Sequence, residues 1–145
     1  MTFVVKIEKT GGPEVLKFTT VKLDKPGPEE VLIEHKAIGL NFIDTYHRSG
    51  LYPVPLPSGI GAEGSGVIKE IGSKVKNFSV SDHIAYAGTP LGSYSSERIY
   101  PTKNLVKIPN YINFEIAATL MTKGLTAYYL LYKTYPVSSN QTILF

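Results

Sequence analysis

The 145-residue sequence predicts a mainly β fold with a few helices, and three observations predict it. The first hundred or so residues fall into short apolar stretches separated by turn residues, an all-β rhythm. After Pro109 the apolar spacing becomes helical. The last five residues, Gln141-Thr142-Ile143-Leu144-Phe145, then read as an apolar strand of a buried parallel sheet, the opening of a βαβ-type domain that is cut off there.

Taken in order, strands are expected at Phe3 to Glu8, Leu16 to Leu23, Val31 to Ala37, Gly66 to Ile71, His83 to Tyr86 and Ser93 to Tyr100. In Val31-Leu32-Ile33-Glu34-His35-Lys36-Ala37-Ile38 apolar and polar residues partly alternate, as a strand with one face on a core requires. Asp24-Lys25-Pro26-Gly27-Pro28 and the series Pro53, Pro55, Pro57 are loops, because a proline has no N–H to give a sheet ladder. Phe42 to Arg48 is a short helix with Asn41 before it; Phe42 and Tyr46 share one face at i, i+4, and Asp44 and Arg48 share another, where they read as a surface ion pair. Asn113 is the expected N-cap of a helix carrying Ile116, Ala117 and Leu120. Gly124 should interrupt it before a second stretch from Leu125 to about Tyr135, giving two helices or one kinked helix.

Composition narrows the function. A chain of this length buries a real core without disulfides or a structural metal. With 43% hydrophobic and 19% charged residues it is globular. The pI near 9.0 rests on a net charge of only +3, with lysines spread singly, so no phosphate-binding stripe and no nucleic-acid partner are expected. The absence of cysteine excludes disulfides, a thiolate zinc site and a Cys nucleophile, which leaves any redox work to a cofactor. Charge sits inside the apolar start Met1-Thr2-Phe3-Val4-Val5-Lys6-Ile7-Glu8, and no later segment approaches membrane-spanning length. The cytoplasm, with no membrane partner, is the expected compartment.

Gly59-Ile60-Gly61-Ala62-Glu63-Gly64 fits the dinucleotide pattern G-x-G-x-x-G, with Asp82 near the distance of a ribose-binding acid. Its context contradicts that use: a proline-rich loop precedes the glycines and the strand-like Val67-Ile68-Lys69-Glu70-Ile71 follows, where a helix N-terminus would have to face the pyrophosphate. Tight turns and close backbone approach explain the glycines instead. His35, His47 and His83 have no metal-ligand spacing, so no metal is expected.

Several stretches carry a resemblance: Ile38-Gly39-Leu40-Asn41-Phe42-Ile43-Asp44-Thr45-Tyr46, Pro57-Ser58-Gly59-Ile60-Gly61-Ala62-Glu63-Gly64-Ser65-Gly66, Gly11-Gly12-Pro13-Glu14-Val15-Leu16, Arg48-Ser49-Gly50-Leu51-Tyr52-Pro53 and Lys123-Gly124-Leu125-Thr126-Ala127-Tyr128-Tyr129. Together they resemble the N-terminal part of the zinc-free NADPH:quinone oxidoreductases, the zeta-crystallin-like branch of the medium-chain dehydrogenase/reductase superfamily. The resemblance implies a GroES-like, partly open β-barrel over residues 1–124. Residues 125–145 would be the linking helix and first strand of an incomplete Rossmann domain, stopping before the glycine-rich turn that holds the cofactor pyrophosphate.

The implied activity is hydride transfer from NADPH to a small-molecule quinone or enone, by a chain that alone is inactive and binds NADPH weakly or not at all. A companion chain with the nucleotide-binding domain, or a homodimer, would be its partner. The other reading is a non-enzymatic GroES-like binding or assembly module. Zinc-dependent relatives carry Cys where Asn41 stands and His where Ala62 stands; Glu63 survives from their motif and is expected to bond nearby backbone or a basic side chain.

The resemblance makes Asn41 and Tyr46 catalytic and gives Phe42, Ile43, Asp44, Tyr52, Thr126 and Tyr129 to the cofactor. Read as residues alone, Asn41 is equally a helix N-cap or an amide that hydrogen-bonds the nicotinamide or the quinone oxygen. Phe42 and Tyr46 are equally core or an aromatic wall for a flat, uncharged quinone. Tyr52 lies between prolines, where nothing periodic calls for its burial. By spacing alone, the tyrosines after Thr126 would be core or interface. Ile143, Leu144 and Phe145 are expected to be disordered or paired with another chain.

Overall fold

A computed structural model describes residues 1–144. Two antiparallel sheets carry the molecule. In the smaller, β1 (Thr2–Ile7) lies between β2 (Lys17–Val21) and the two-residue β4 (Ser58–Gly59). The larger runs β7-β3-β5-β6-β8, with β3 at Glu30–Gly39, β5 at Glu63–Ile71, β6 at His83–Ala87, β7 at Glu97–Pro101 and β8 at Leu105–Lys107. The short helix α1 (Phe42–Ser49) follows β3, and α2 (Phe114–Tyr128) packs against β3, β5 and β6.

The core follows from the alternation read in β3. Val31 and Ile33 point inward and meet Ile68, Ile84, Tyr86, Tyr100 and Leu105, most of them fully buried. A second, smaller core under β1 joins Ile7, Val15 and Ile60. Two register shifts in the β3–β5 ladder bend the sheet, at Leu32/Ile33 and at His35/Ala37. Gly59 packs so close to the Gly92 backbone that a Cβ there would lie 2.8 Å from Gly92 Cα, and Gly61 takes φ +90° beneath Ser93 and Tyr94. The glycines of the pseudo-dinucleotide pattern therefore serve turns and close approach in strands.

Three expectations are corrected, and two short strands are added. Ser93 to Tyr100 is not one strand: only Glu97–Pro101 joins the large sheet, while Tyr94 O accepts from Val5 N–H (2.8 Å) and Ser96 N–H donates to Phe3 O (2.9 Å), tying the two sheets together. The short β4 and β8 carry too few residues to show a period, and the sequence reading lacks them. Gly124 does not break α2; one helical glycine costs only about 1 kcal/mol, which packing outweighs. The irregularity comes later, as a π turn over Tyr129–Thr134.

The expected final strand is absent among the described residues: 141–144 form no ladder, since no described strand lies beside them to take their hydrogen bonds. Phe145, part of that expectation, lies outside the described residues. Asn113 does cap α2, its Oδ1 accepting from Ile116 N–H at 2.8 Å. No helix among the described residues is long and apolar enough to cross a membrane.

Candidate functional site

Asn41 ends β3 and opens α1, which places its side chain between the large sheet and α2. Its Nδ2 donates to Glu63 Oε2 at 2.8 Å, and its Oδ1 accepts from Lys123 Nζ at 2.9 Å. Asn41 thus occupies the N-cap position with its side-chain amide engaged across the site, and Asp44 completes the cap from the other direction, its Oδ2 accepting Asn41 N–H at 3.0 Å.

Glu63, on β5, is fully buried. Its Oε1 accepts Thr122 N–H at 2.7 Å, and Lys123 Nζ stands 3.7 Å from Oε2. Backbone and a basic side chain both bind it, as the sequence reading expected. Gly39 makes the arrangement fit: a Cβ there would run into the Ala118 carbonyl and lie 2.7 Å from Glu63 Oε2, so a larger residue would force α2 off the sheet.

Tyr46 and Tyr52 are brought together, edge to face at 5.4 Å between ring centroids, with Tyr52 N–H donating to Tyr46 O at 3.2 Å. Phe42 is 82% exposed, and Ile43 is half-buried. Asp44 is buried and accepts Tyr94 O–H at 2.9 Å, while its Oδ1 has no partner. The expected surface ion pair with Arg48 is therefore corrected: Arg48 Nε donates to Gly11 O at 3.3 Å, because helix α1 turns Asp44 into the protein and docks Arg48 on the Gly11 loop. Burial, reinforced by the neighbouring Asp44 carboxylate, raises the Tyr94 phenol well above its ordinary value.

Thr126 lies one turn beyond Lys123, its hydroxyl donating to Thr122 O at 2.6 Å. Tyr129 begins the π turn and is 60% exposed, and Tyr128 stacks on Tyr132 at 5.1 Å. This aromatic stripe is not core. The structure thus groups Asn41 with Glu63 and Lys123, pairs Tyr46 with Tyr52, and strings Thr126 and Tyr129 along the same helix as Lys123. The sequence analysis includes Lys123 in a motif and gives it no role; its signal is that it is the one basic residue on α2.

A groove of about 510 Å³ opens elsewhere, between Phe3, Val5, Phe18, His35, Ile38 and Tyr94. Its polar groups are already spent. Lys36 pairs with Glu34, Ser96 Oγ accepts Phe3 N–H, and both His35 nitrogens are engaged, Nδ1 with Ser95 O at 2.7 Å and Nε2 with Tyr86 Oη at 2.6 Å. Such a lining offers nothing to chemistry. Burial pushes the His35 imidazole down to about 4, with Arg98 adding to the shift, and pushes the Tyr86 phenol up to about 12.

Residues 27–110 match the alcohol dehydrogenase GroES-like domain family. The chain belongs to that family. It is 53% identical over 136 residues to a quinone oxidoreductase of Pseudomonas aeruginosa, covering 93% of this chain and 42% of that protein. Among solved structures, a quinone oxidoreductase of Pseudomonas syringae pv. Tomato DC3000 superposes with a TM-score of 0.91 at 52% identity, over 95% of this chain and 43% of that one. The Escherichia coli quinone oxidoreductase, solved in complex with NADPH, gives 0.91 at 46% identity, over 95% and 42%. The chain therefore corresponds to the N-terminal GroES-like part of these medium-chain dehydrogenase/reductase proteins and spans less than half of their length.

Proposed function

We propose that this chain is the catalytic half of a zinc-independent, NADPH-dependent quinone or enone reductase of the cytoplasm. Residues 1–124 form the catalytic domain, and 125–145 lead into a nucleotide-binding domain carried by further chain or by a companion polypeptide; a homodimer would be a separate assembly. The observation that carries the reading is Asn41, an amide held between Glu63 and Lys123 where zinc-dependent relatives place a metal ligand. The names of the similar proteins support it.

The donor set does not suit zinc. Asn41 turns its nitrogen to Glu63, Ala62 is apolar, and the Lys123 ammonium beside the carboxylate repels a second cation. The nicotinamide end of NADPH does fit, against uncharged amide and aromatic groups. When bound, that cofactor supplies the hydride, two electrons with one proton, and solvent supplies the second proton that completes the hydroquinone. The chain's residues orient: Asn41 donates to a carbonyl oxygen, Tyr46 walls the acceptor with its hydroxyl at the rim, and Phe42, Ile43, Tyr52, Thr126 and Tyr129 border the cofactor, while Asp44, buried and bonded to Tyr94 and to Asn41 N–H, holds the Asn41 turn and does not reach the cofactor. For the phosphates, the described residues hold no strand, glycine turn and helix N-terminus in succession.

Two measurements test this reading. Isothermal titration of the chain with NADPH should give no affinity tighter than millimolar; micromolar binding would sink the half-enzyme reading. Supplying the nucleotide-binding half of the Pseudomonas aeruginosa relative should produce NADPH-dependent quinone reduction. A folded, associated pair with no such turnover would refute the assigned reaction.

A further inference from the structure

We propose that Glu63 and Lys123 are positioning residues that lock the Asn41 side-chain amide in one orientation and leave it a single free N–H donor, so the site selects a ligand by a carbonyl oxygen. This rests on the reading of Asn41 as the contact to the reacting carbonyl or to the carboxamide of the cofactor.

An asparagine amide has nearly the same shape either way round, so its neighbours decide which end is which. Here the neighbours have fixed and opposite polarity. Thr122 N–H at 2.7 Å and Asn41 Nδ2 at 2.8 Å donate to the Glu63 carboxylate, and the Lys123 ammonium faces it at 3.7 Å as an ion pair. That carboxylate can only accept, so the Asn41 atom facing it must be nitrogen. The ammonium has three donors and no acceptor, so the atom 2.9 Å away from it must be oxygen. Turning the amide over would set oxygen against carboxylate and NH₂ against ammonium, exchanging two charge-assisted hydrogen bonds for two repulsions.

The consequence follows from valence. Oδ1 is committed to Lys123, and one Nδ2 hydrogen is committed to Glu63. What remains is the second Nδ2 hydrogen, for which the structure gives no partner. Asn41 then presents a free N–H that can donate to a quinone, enone or carboxamide oxygen, whereas a ligand hydroxyl hydrogen would have to share Oδ1 with the Lys123 ammonium.

The test is side-chain relaxation of the ¹⁵N-labelled full chain, in wild type, Lys123→Met and Lys123→Arg. The Asn41 Nδ2 group should show an order parameter near that of rigid backbone, about 0.85, in wild type and in the arginine variant, and fall below about 0.6 in the methionine variant. Backbone order in β5 should not change. An amide that stays rigid in Lys123→Met, or a loss of order shared by β5, overturns the lock.

Cyclohexanone and nicotinamide, with methylenecyclohexane as the oxygen-free control, then probe the free N–H. The two carbonyl compounds should shift the Asn41 Nδ2 resonance and the control should not, with apparent affinity at least tenfold weaker in Lys123→Met. A stronger response to the ketone assigns the donor to the acceptor substrate, and one to nicotinamide assigns it to the cofactor. If the lock is seen but neither carbonyl compound moves Asn41, the reading of Asn41 as a carbonyl contact fails and the lock stands. If carbonyl binding survives unchanged in Lys123→Met, the positioning role is refuted.

Discussion

Two polar clusters lie inside this protein, and they are built on opposite plans. In the first, His35, Tyr86 and Arg98 are bonded to one another and to carbonyls of the chain, with Arg98 only 8% exposed. Ser95 O takes the Nδ1 hydrogen of His35, Nε2 then accepts Tyr86 O–H, and Tyr86 Oη accepts from Arg98 Nη1 at 3.3 Å. Arg98 Nη2 donates to Pro90 O (2.8 Å) and Leu91 O (3.2 Å), and its guanidinium lies 4.4 Å over the Tyr100 ring. In the second, Asn41, Glu63 and Lys123 leave capacity unspent: the lysine side chain is 53% exposed and one Asn41 N–H has no assigned partner. A closed network holds a fold, and an open one is where a ligand's polar atom can be met.

The largest effect expected is at the closed cluster. Arg98→Met keeps the stem's packing and removes the donors to Tyr86, Pro90 and Leu91, stranding acceptors in the interior. Urea unfolding should show a loss of about 3 kcal/mol, while the Asn41 side-chain resonance stays in place. A shift at Asn41 of the size seen on ligand binding would show that the two clusters are not independent.

Acid gives the next effect. His35 takes up a proton near pH 4 when folded and near 6.5 when unfolded, so the unfolded chain is protonated first as pH falls. Stability is full above pH 6.5 and declines between 6.5 and 4, by about 2 kcal/mol on going from pH 7 to pH 5. Lys36 and Lys69 hold the Glu34 carboxyl below its ordinary value, and Lys107 does the same for Asp82, so those surface pairs are lost only below about pH 4.5 and leave the interval from pH 7 to pH 5 clear. His35→Gln, whose amide can donate to Ser95 O and accept from Tyr86, should flatten the decline. An unchanged slope in that variant would assign the acid sensitivity to other groups.

This contrast also explains what the sequence disclosed. The β3 alternation of Val31 and Ile33, the Asn113 cap and the expectation that Glu63 bonds nearby backbone or a basic side chain depend on short-range pattern or on a carboxylate's need for partners, and each is met. Lys123 and Asn41 meet across 82 positions, and no local period reports such a contact. Asp44 and Arg48 fit the spacing of a helical ion pair, yet helix docking sends one to Tyr94 and the other to Gly11. For the same reason Ser93–Ser96 looked like a strand of one sheet: its residue types suit extended backbone, and only the placement of β1 decides which sheet receives it.

The smallest stability effect should come from the residue with the largest effect on the site. Lys123→Met removes a cation that touches both Asn41 and Glu63, but more than half of that side chain is in water, and an exposed charge contributes little. Glu63 keeps the Thr122 and Asn41 hydrogens, so its carboxylate is not stranded. The methionine stem can cover the apolar surface that the lysine stem covers now. Urea unfolding should therefore move by less than about 1 kcal/mol, a third or less of the Arg98→Met loss. Equal losses in the two variants would mean that the Asn41 cluster is as closed as its counterpart, held together for the fold with no donor left over for a substrate.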